Sequence, residues 1–226
     1  MKLIKPSITS VWKTPNALKM IEWSGRTCYK SEEKMTTDPA FTEYFIRKII
    51  KSEHHSVLEH ASASYRIICD RGVTHEIVRH RLASYSQEST RYCNYAGGVT
   101  YILPPWMVFK RSEQAAAHTI QNIMDIEHYF DYTPGSFEHT WLCFLLAAED
   151  AYTTAIKKGW SPQQARSVLP NALKTEIVMT CNFREWRHFF KLRCSPKAHP
   201  QMQEIANMLL KDIRESVPVI FDEDML

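Results

Sequence analysis

Apolar positions recur along this 226-residue chain with two periods, and the period changes mark the elements. Pro6 to Trp12 alternates weakly and predicts an N-terminal strand. Thr14-Pro15 reads as a cap and first helical residue, opening a helix through Leu18, Ile21 and Glu22. Asp38-Pro39 repeats the signal ahead of Phe41, Tyr44, Phe45, Ile49 and Ile50, an apolar series at helical spacing. Ala61 to Cys69 is rich in Ser, Tyr and Ile and ends at Asp70-Arg71-Gly72, a strand entering a turn. A helix is predicted from Val73 to about Leu82. After the Pro104-Pro105 break, long helices are predicted over Ser112 to Tyr129 and Gly135 to Lys158, parted by Thr133-Pro134-Gly135. A short helix after Ser161-Pro162, a strand over Thr175 to Cys181, and helices over Arg184 to Leu192 and Pro200 to Ser216 complete the pattern. The expected fold is a single α+β domain over residues 1–226, of mixed α/β type, with a central, largely antiparallel sheet flanked by long helices.

Composition removes several functional classes. The six glycines, at 25, 72, 97, 98, 135 and 159, fit neither G-x-G-x-x-G nor G-x-x-x-x-G-K-[ST]. Both motifs need glycine where backbone approaches phosphate closely, so any bound nucleotide must be held by side chains. A net charge of +3 is too balanced for a general nucleic-acid footprint. The longest apolar stretch, Trp141 to Ala148, falls far short of the ~18 residues of a membrane span. The N-terminus lacks a secretory apolar region, and the six cysteines show no C-x-x-C spacing. A cytoplasmic protein with reduced thiols is expected.

Polar chemistry concentrates in two runs. The first, Arg79-His80-Arg81 through Ser84, Ser86, Gln87, Glu88, Ser89, Thr90 and Arg91, offers guanidinium forks and short hydroxyl donors suited to phosphate oxygens. On a helix its three basic residues would point about 100° apart and reach different ligands or parts of one ligand. The same run also reads as a solvated helix end followed by a polar loop. The second run joins Asn182, Arg184 and His188 at a strand-to-helix junction and leads to Arg193. It reads equally as an amphipathic helix burying Phe189 and Phe190.

Metal and nucleophile readings fare worse. His75-Glu76 followed by His80 resembles H-E-x-x-H, but five residues separate the histidines by about 140° on a helix, so no metal is expected. No cysteine occupies a nucleophile signature, and G-x-S-x-G is absent.

Arg79-His80-Arg81, then seven residues, then Ser89, resembles the signature of the flavin-dependent thymidylate synthases. His54-His55-Ser56-Val57-Leu58-Glu59-His60, Ala165 to Pro170, Asn182-Phe183-Arg184 and Leu192-Arg193 follow in that family's order, over roughly residues 10 to 215. The resemblance implies reductive methylation of dUMP to dTMP. Methylenetetrahydrofolate would be the carbon donor and FAD, reduced by NADPH, the hydride carrier. It further implies a homotetramer with active sites between subunits and no cysteine nucleophile.

Carried over by position, His54, Ser56, Glu59, Arg79, His80, Arg81, Gln87, Asn182, Arg184 and His188 would contact FAD. Glu76, Arg79, Gln87, Glu88, Ser89, Thr90, Arg91, Arg166 and Arg193 would contact dUMP, with Arg193 the catalytic residue. His188 stands where asparagine is usual, Glu76 where glutamine is frequent, and position 87 can be glutamate. A nucleic-acid-binding module using the Arg79–Arg91 segment, or a flavoenzyme of another reaction on a nucleotide, are the competing readings.

Overall fold

The computed structural model describes residues 1–107, 117–130 and 132–222. In chain order the strands are β1 (Lys2–Ile4), β2 (Ser7–Lys13), β3 (Ser62–Asp70), β4 (Ala83–Gln87), β5 (Thr100–Ile102), β6 (Ala117–Thr119) and β7 (Lys174–Asn182). The α-helices are α1 (Ala17–Tyr29), α2 (Pro39–Lys51), α3 (Arg71–Ile77), α4 (Ile123–Tyr129), α5 (Phe137–Lys157), α6 (Pro162–Ala165), α7 (Phe183–Arg193), α8 (Pro200–Ser216) and α9 (Pro218–Phe221). The expected mixed class holds, with an antiparallel four-stranded sheet in the order β2-β3-β7-β4. A second sheet, β5-β1-β6, was not legible in the sequence; β1 runs parallel to β5 and antiparallel to β6.

The chain divides into two compact units. The first comprises residues 1–7, 68–75 and 87–177 and packs Leu3, Tyr101, Phe130, Leu142, Leu145 and Tyr152 into its core. The second comprises residues 8–67, 76–86 and 178–226. Its core includes Ile21, Ile46, Tyr65, Trp186, Phe189, Phe190, Leu209 and Phe221, all at or near zero exposure. Trp186 stacks on Phe190, meets Tyr65 edge-on, and donates its indole N–H to the Ala63 carbonyl at 3.1 Å. In the same unit α1 and α2 approach closely at Gly25, where an added Cβ would lie 2.8 Å from the Phe45 ring.

Strand β7 shows the clearest local logic. Thr175, Ile177, Met179 and Cys181 are buried, while the residues between them are only partly covered, the period-two pattern of a pleated strand. Asn182 ends it by capping α7, its side-chain oxygen accepting the Glu185 N–H at 2.9 Å.

Three boundaries depart from expectation. Helix α1 starts at Ala17 because Thr14 is already engaged: its hydroxyl accepts the Ser62 N–H at 2.9 Å and donates to the Ser62 carbonyl. The long helix expected over Ser112 to Tyr129 is replaced, where described, by β6 and the short α4; residues 112–116 lie outside the described residues. Pairing with β1 claims the β6 backbone, and α4 begins only after Asn122, whose side chain accepts the Met124 N–H while Asp125 reaches back to accept those of Gln121 and Asn122. Helix α3 stops at Ile77 rather than near Leu82, with consequences for the site.

Candidate functional site

Past Ile77 the chain tightens into a turn. Arg79 N–H donates to the Glu76 carbonyl and His80 N–H to that of Ile77, bonds three residues apart rather than four. The Tyr85 hydroxyl, held protonated by burial, then shares its one proton between the carbonyls of Ile77 at 2.9 Å and His80 at 2.7 Å. One side chain thus captures the carbonyls that a continuing helix would have paired. Ala83 to Gln87 can therefore run on as β4, with Ser84 and Ser86 outward and Tyr85 and Gln87 partly covered. The basic triplet separates as predicted, though on a turn: His80 is buried while Arg79 and Arg81 are exposed.

Around His80 the polar groups form a chain of bonds within the second unit. Its Nε2 accepts from Arg193 Nε–H at 3.0 Å, and its Nδ1 lies 3.1 Å from a carboxylate oxygen of Glu185. Arg193 also donates through Nη1 to the Glu76 carboxylate at 2.7 Å and through Nη2 to the Glu76 carbonyl at 3.0 Å. Burial, reinforced by the Arg193 charge, holds the His80 imidazole below its usual range, against the upward pull of Glu185.

His80, Glu185 and His188 bring potential ligand atoms within 4.8 Å of one another. An arginine N–H only donates, however, so His80 Nε2 spends its lone pair on Arg193 and Nδ1 carries the proton facing Glu185. In this arrangement His80 has no lone pair to offer a cation.

Beside this chain lies a cavity of about 650 Å³, whose lining includes Glu59, Asn182, Arg184, Glu185, His188 and Lys191. Four residues singled out in the sequence, Glu59, Asn182, Arg184 and His188, meet here. Arg184 pairs with Glu59 at 2.6 Å, and both side chains are about half exposed. An arginine, a lysine, an amide and an imidazole, with the carboxylates of Glu59 and Glu185 as counterweights, suit an anionic, heteroaromatic group bound by side chains. Ser56 is exposed on the 3₁₀ turn His55–His60. His54 instead lines a second cavity of about 700 Å³ with Arg26, Tyr29, Phe45 and Lys48, its Nδ1 hydrogen-bonded to the Tyr29 hydroxyl at 2.9 Å.

The remaining candidates cluster within the first unit. Gln87 donates to the hydroxyls of Thr74 and Thr175 at 3.0 and 3.2 Å. Glu88 is clamped between the Lys174 ammonium at 3.0 Å and the Tyr95 hydroxyl at 2.7 Å. Lys174 also pairs with Glu176, and the two carboxylates raise its pKa against the opposing effect of burial. Ser89 accepts the Arg91 N–H at 3.3 Å, while Arg166 reaches the buried Thr90 hydroxyl at 3.1 Å. Arg91 donates to Gln163 at 3.3 Å. Hydroxyl and guanidinium donors thus converge at Ser89, Thr90, Arg91 and Arg166, and both arginines are exposed residues.

Sequence reading missed Glu185, Lys174, Tyr85 and Tyr95. Only Glu185 left a trace, a lone acidic residue in a basic helical run. The six cysteines are free. Burial pushes up the thiols of Cys69, Cys181 and Cys194, the last to about 11, so none of these three is poised as a thiolate. Among the described residues no helix is long and apolar enough to cross a membrane.

Compared with known proteins, residues 10–219 match the profile of a family described as thymidylate synthase complementing protein. The flavin-dependent thymidylate synthase of Corynebacterium aurimucosum is 32% identical over 205 residues, covering 90% of this chain and 78% of that protein. The Mycobacterium tuberculosis protein of the same name is 33% identical over 207 residues, covering 89% and 77%. Among solved structures, thymidylate synthase X from Helicobacter pylori with FAD and dUMP aligns at a TM-score of 0.73 and 22% identity, over 98% of this chain and 99% of that one. The UMP/dUMP methylase PolB from Streptomyces cacaoi, bound with 5-Br dUMP, aligns at 0.75 and 21% over 98% and 96%. At these identities the structural likeness concerns the fold.

Proposed function

Because the chain belongs to the thymidylate synthase complementing protein family, we propose that it methylates dUMP reductively to dTMP. Methylenetetrahydrofolate is the carbon donor and NADPH the source of reducing equivalents. FAD is the resident cofactor, and when bound it supplies the hydride that completes the methyl group. The donor set of the 650 Å³ cavity fits it: Asn182, Arg184 and His188 contact the flavin nucleotide, with Glu59 orienting Arg184. His54, Ser56, Arg79, His80, Arg81 and Gln87 are assigned to the same cofactor. In a homotetramer with active sites between subunits, these residues need not all serve one site on one chain. Each chain acts as one catalytic domain, in the cytoplasm, where its thiols stay reduced.

The substrate's C5 becomes nucleophilic as negative charge develops on the uracil ring. A guanidinium at O2 or N3 stabilises that charge most if its orientation is set in advance. Arg193 meets the requirement, and this observation carries the proposal. Of the five N–H donors of a guanidinium, three are spent on His80 and Glu76, and the others remain for a ligand. Ser89, Thr90, Arg91 and Arg166 bind the dUMP phosphate and ribose through side chains, with Glu76, Arg79, Gln87 and Glu88 completing the nucleotide contacts. Ser89 orients the nucleotide and does not attack it.

The test is tritium release from 5-labelled dUMP by the yellow, FAD-loaded protein with methylenetetrahydrofolate and NADPH. Release matched by dTMP formation is expected. A colourless protein that gains no activity with added FAD, or one that oxidises NADPH without releasing tritium, would overturn the proposal.

A further inference from the structure

Glu185 belongs to none of the motifs that mark the nucleotide and flavin positions. It is nevertheless a carboxylate only 6% exposed, aimed at the histidine that accepts from Arg193. A carboxylate is costly to bury unless it is paired or hydrogen-bonded. Here the partner is His80 Nδ1, and α7 fixes the approach, since Asn182 caps the helix on the Glu185 N–H itself.

The geometry allows one protonation pattern. Arg193 Nε–H points at His80 Nε2 from 3.0 Å and can only donate, so Nε2 is unprotonated. The proton sits on Nδ1, facing Glu185 at 3.1 Å. The opposite tautomer would set two N–H groups against each other on one side and two acceptors on the other. The ring has little freedom to escape. Phe189 packs at 4.9 Å between centroids, His188 meets it at 5.7 Å, and Tyr85 pins the His80 carbonyl.

We propose that Glu185 is a positioning residue: by accepting from His80 Nδ1–H it selects the tautomer that receives Arg193 Nε–H, and so sets the plane of the guanidinium. Glu76 fixes the other edge, and His80 transmits the choice. The functional part of this inference rests on Arg193 acting at the uracil ring, as proposed above; the tautomer part does not.

The test is ¹⁵N-histidine NMR of the FAD-loaded enzyme at mildly alkaline pH, with His80 assigned by difference from His80→Asn. His80 is expected to be protonated on Nδ1 and bare on Nε2. Glu185→Leu should reverse or mix this pattern, whereas Glu185→Gln, whose amide oxygen still accepts, should keep it. Turnover should follow: kcat falls about tenfold or more in Glu185→Leu, with a smaller change in KM for dUMP, and Glu185→Gln restores most of it. A wild-type His80 protonated on Nε2, an unchanged Nδ1–H signal in Glu185→Leu, or equal loss of turnover in both variants would overturn the proposal. The wild-type spectrum decides the tautomer even if Glu185→Leu fails to fold. Normal turnover in Arg193→Ala would instead sink the functional reading, and the tautomer assignment would stand.

Discussion

Replacing Arg193 with alanine separates its chemical role from its structural one. The substitution deletes three hydrogen bonds: one to His80, one to the Glu76 carboxylate and one to the Glu76 carbonyl. The Glu76 side chain, 34% exposed, regains water, but His80, 3% exposed, is left with an unpaired Nε2. One buried acceptor without a partner costs about 1–3 kcal/mol of stability, an effect urea titration resolves. Removing a preorganised donor from a site of developing charge costs about 10²–10³ in kcat, far beyond what that destabilisation produces in a protein still folded. FAD should stay bound, because Asn182, Arg184 and His188 keep their places on the cavity. Arg193→Lys should remain impaired by at least about tenfold, since one ammonium cannot reproduce a planar fork contacting two residues at once. The assays are tritium release from 5-labelled dUMP, flavin absorbance and urea unfolding on the same preparations. Near-normal dTMP formation by a yellow Arg193→Ala protein would refute the reasoning.

Other expectations follow from the same geometry. Arg81→Lys combined with Arg184→Lys should weaken FAD binding by about tenfold or more in a fluorescence titration. The melting temperature should barely move, because the Arg184–Glu59 pair is exposed. Glu22→Ala should destabilise the fold by about 3–5 kcal/mol in urea, since this wholly buried carboxylate receives Thr42 at 2.6 Å and Arg26 at 2.8 Å. Acid should act in two windows. His80 has a folded pKa below its ordinary 6.5, so the unfolded chain binds the proton first and stability falls as the pH drops through 6.5. Glu22 and Asp212 resist the upward push of burial and lie below their ordinary 4.5 and 3.8, Glu22 through Thr42, Arg26 and Lys19, Asp212 through Lys13 and Tyr65. Their stabilisation is present above those values and is lost as the pH falls through the lowered ones. Melting curves of His80→Gln and Asp212→Asn should each flatten in the corresponding window.

Local pattern was enough where an element's own side chains decide it. Helix α8 runs from Pro200 to Ser216 as the periodicity predicts, and β7 carries its alternation through nine residues. The glycine count likewise excluded a backbone phosphate cradle, and the structure offers arginine, amide and hydroxyl side chains instead. What local pattern could not show was a distant partner overruling it. Thr14 reads as a cap until Ser62 takes its hydroxyl, and residues 78–82 read as helix until Tyr85 captures the carbonyls.

The ordered motifs, from His54 through Arg193, were legible in the chain itself, because a family's chemistry fixes residue types at fixed spacings. The protonation of His80 was not. It depends on Glu185 and Arg193 meeting one imidazole from positions 105 and 113 residues away. Sequence supplied the donors and acceptors; which nitrogen holds the proton follows from burial and the direction of each bond, and those exist only once the chain is folded.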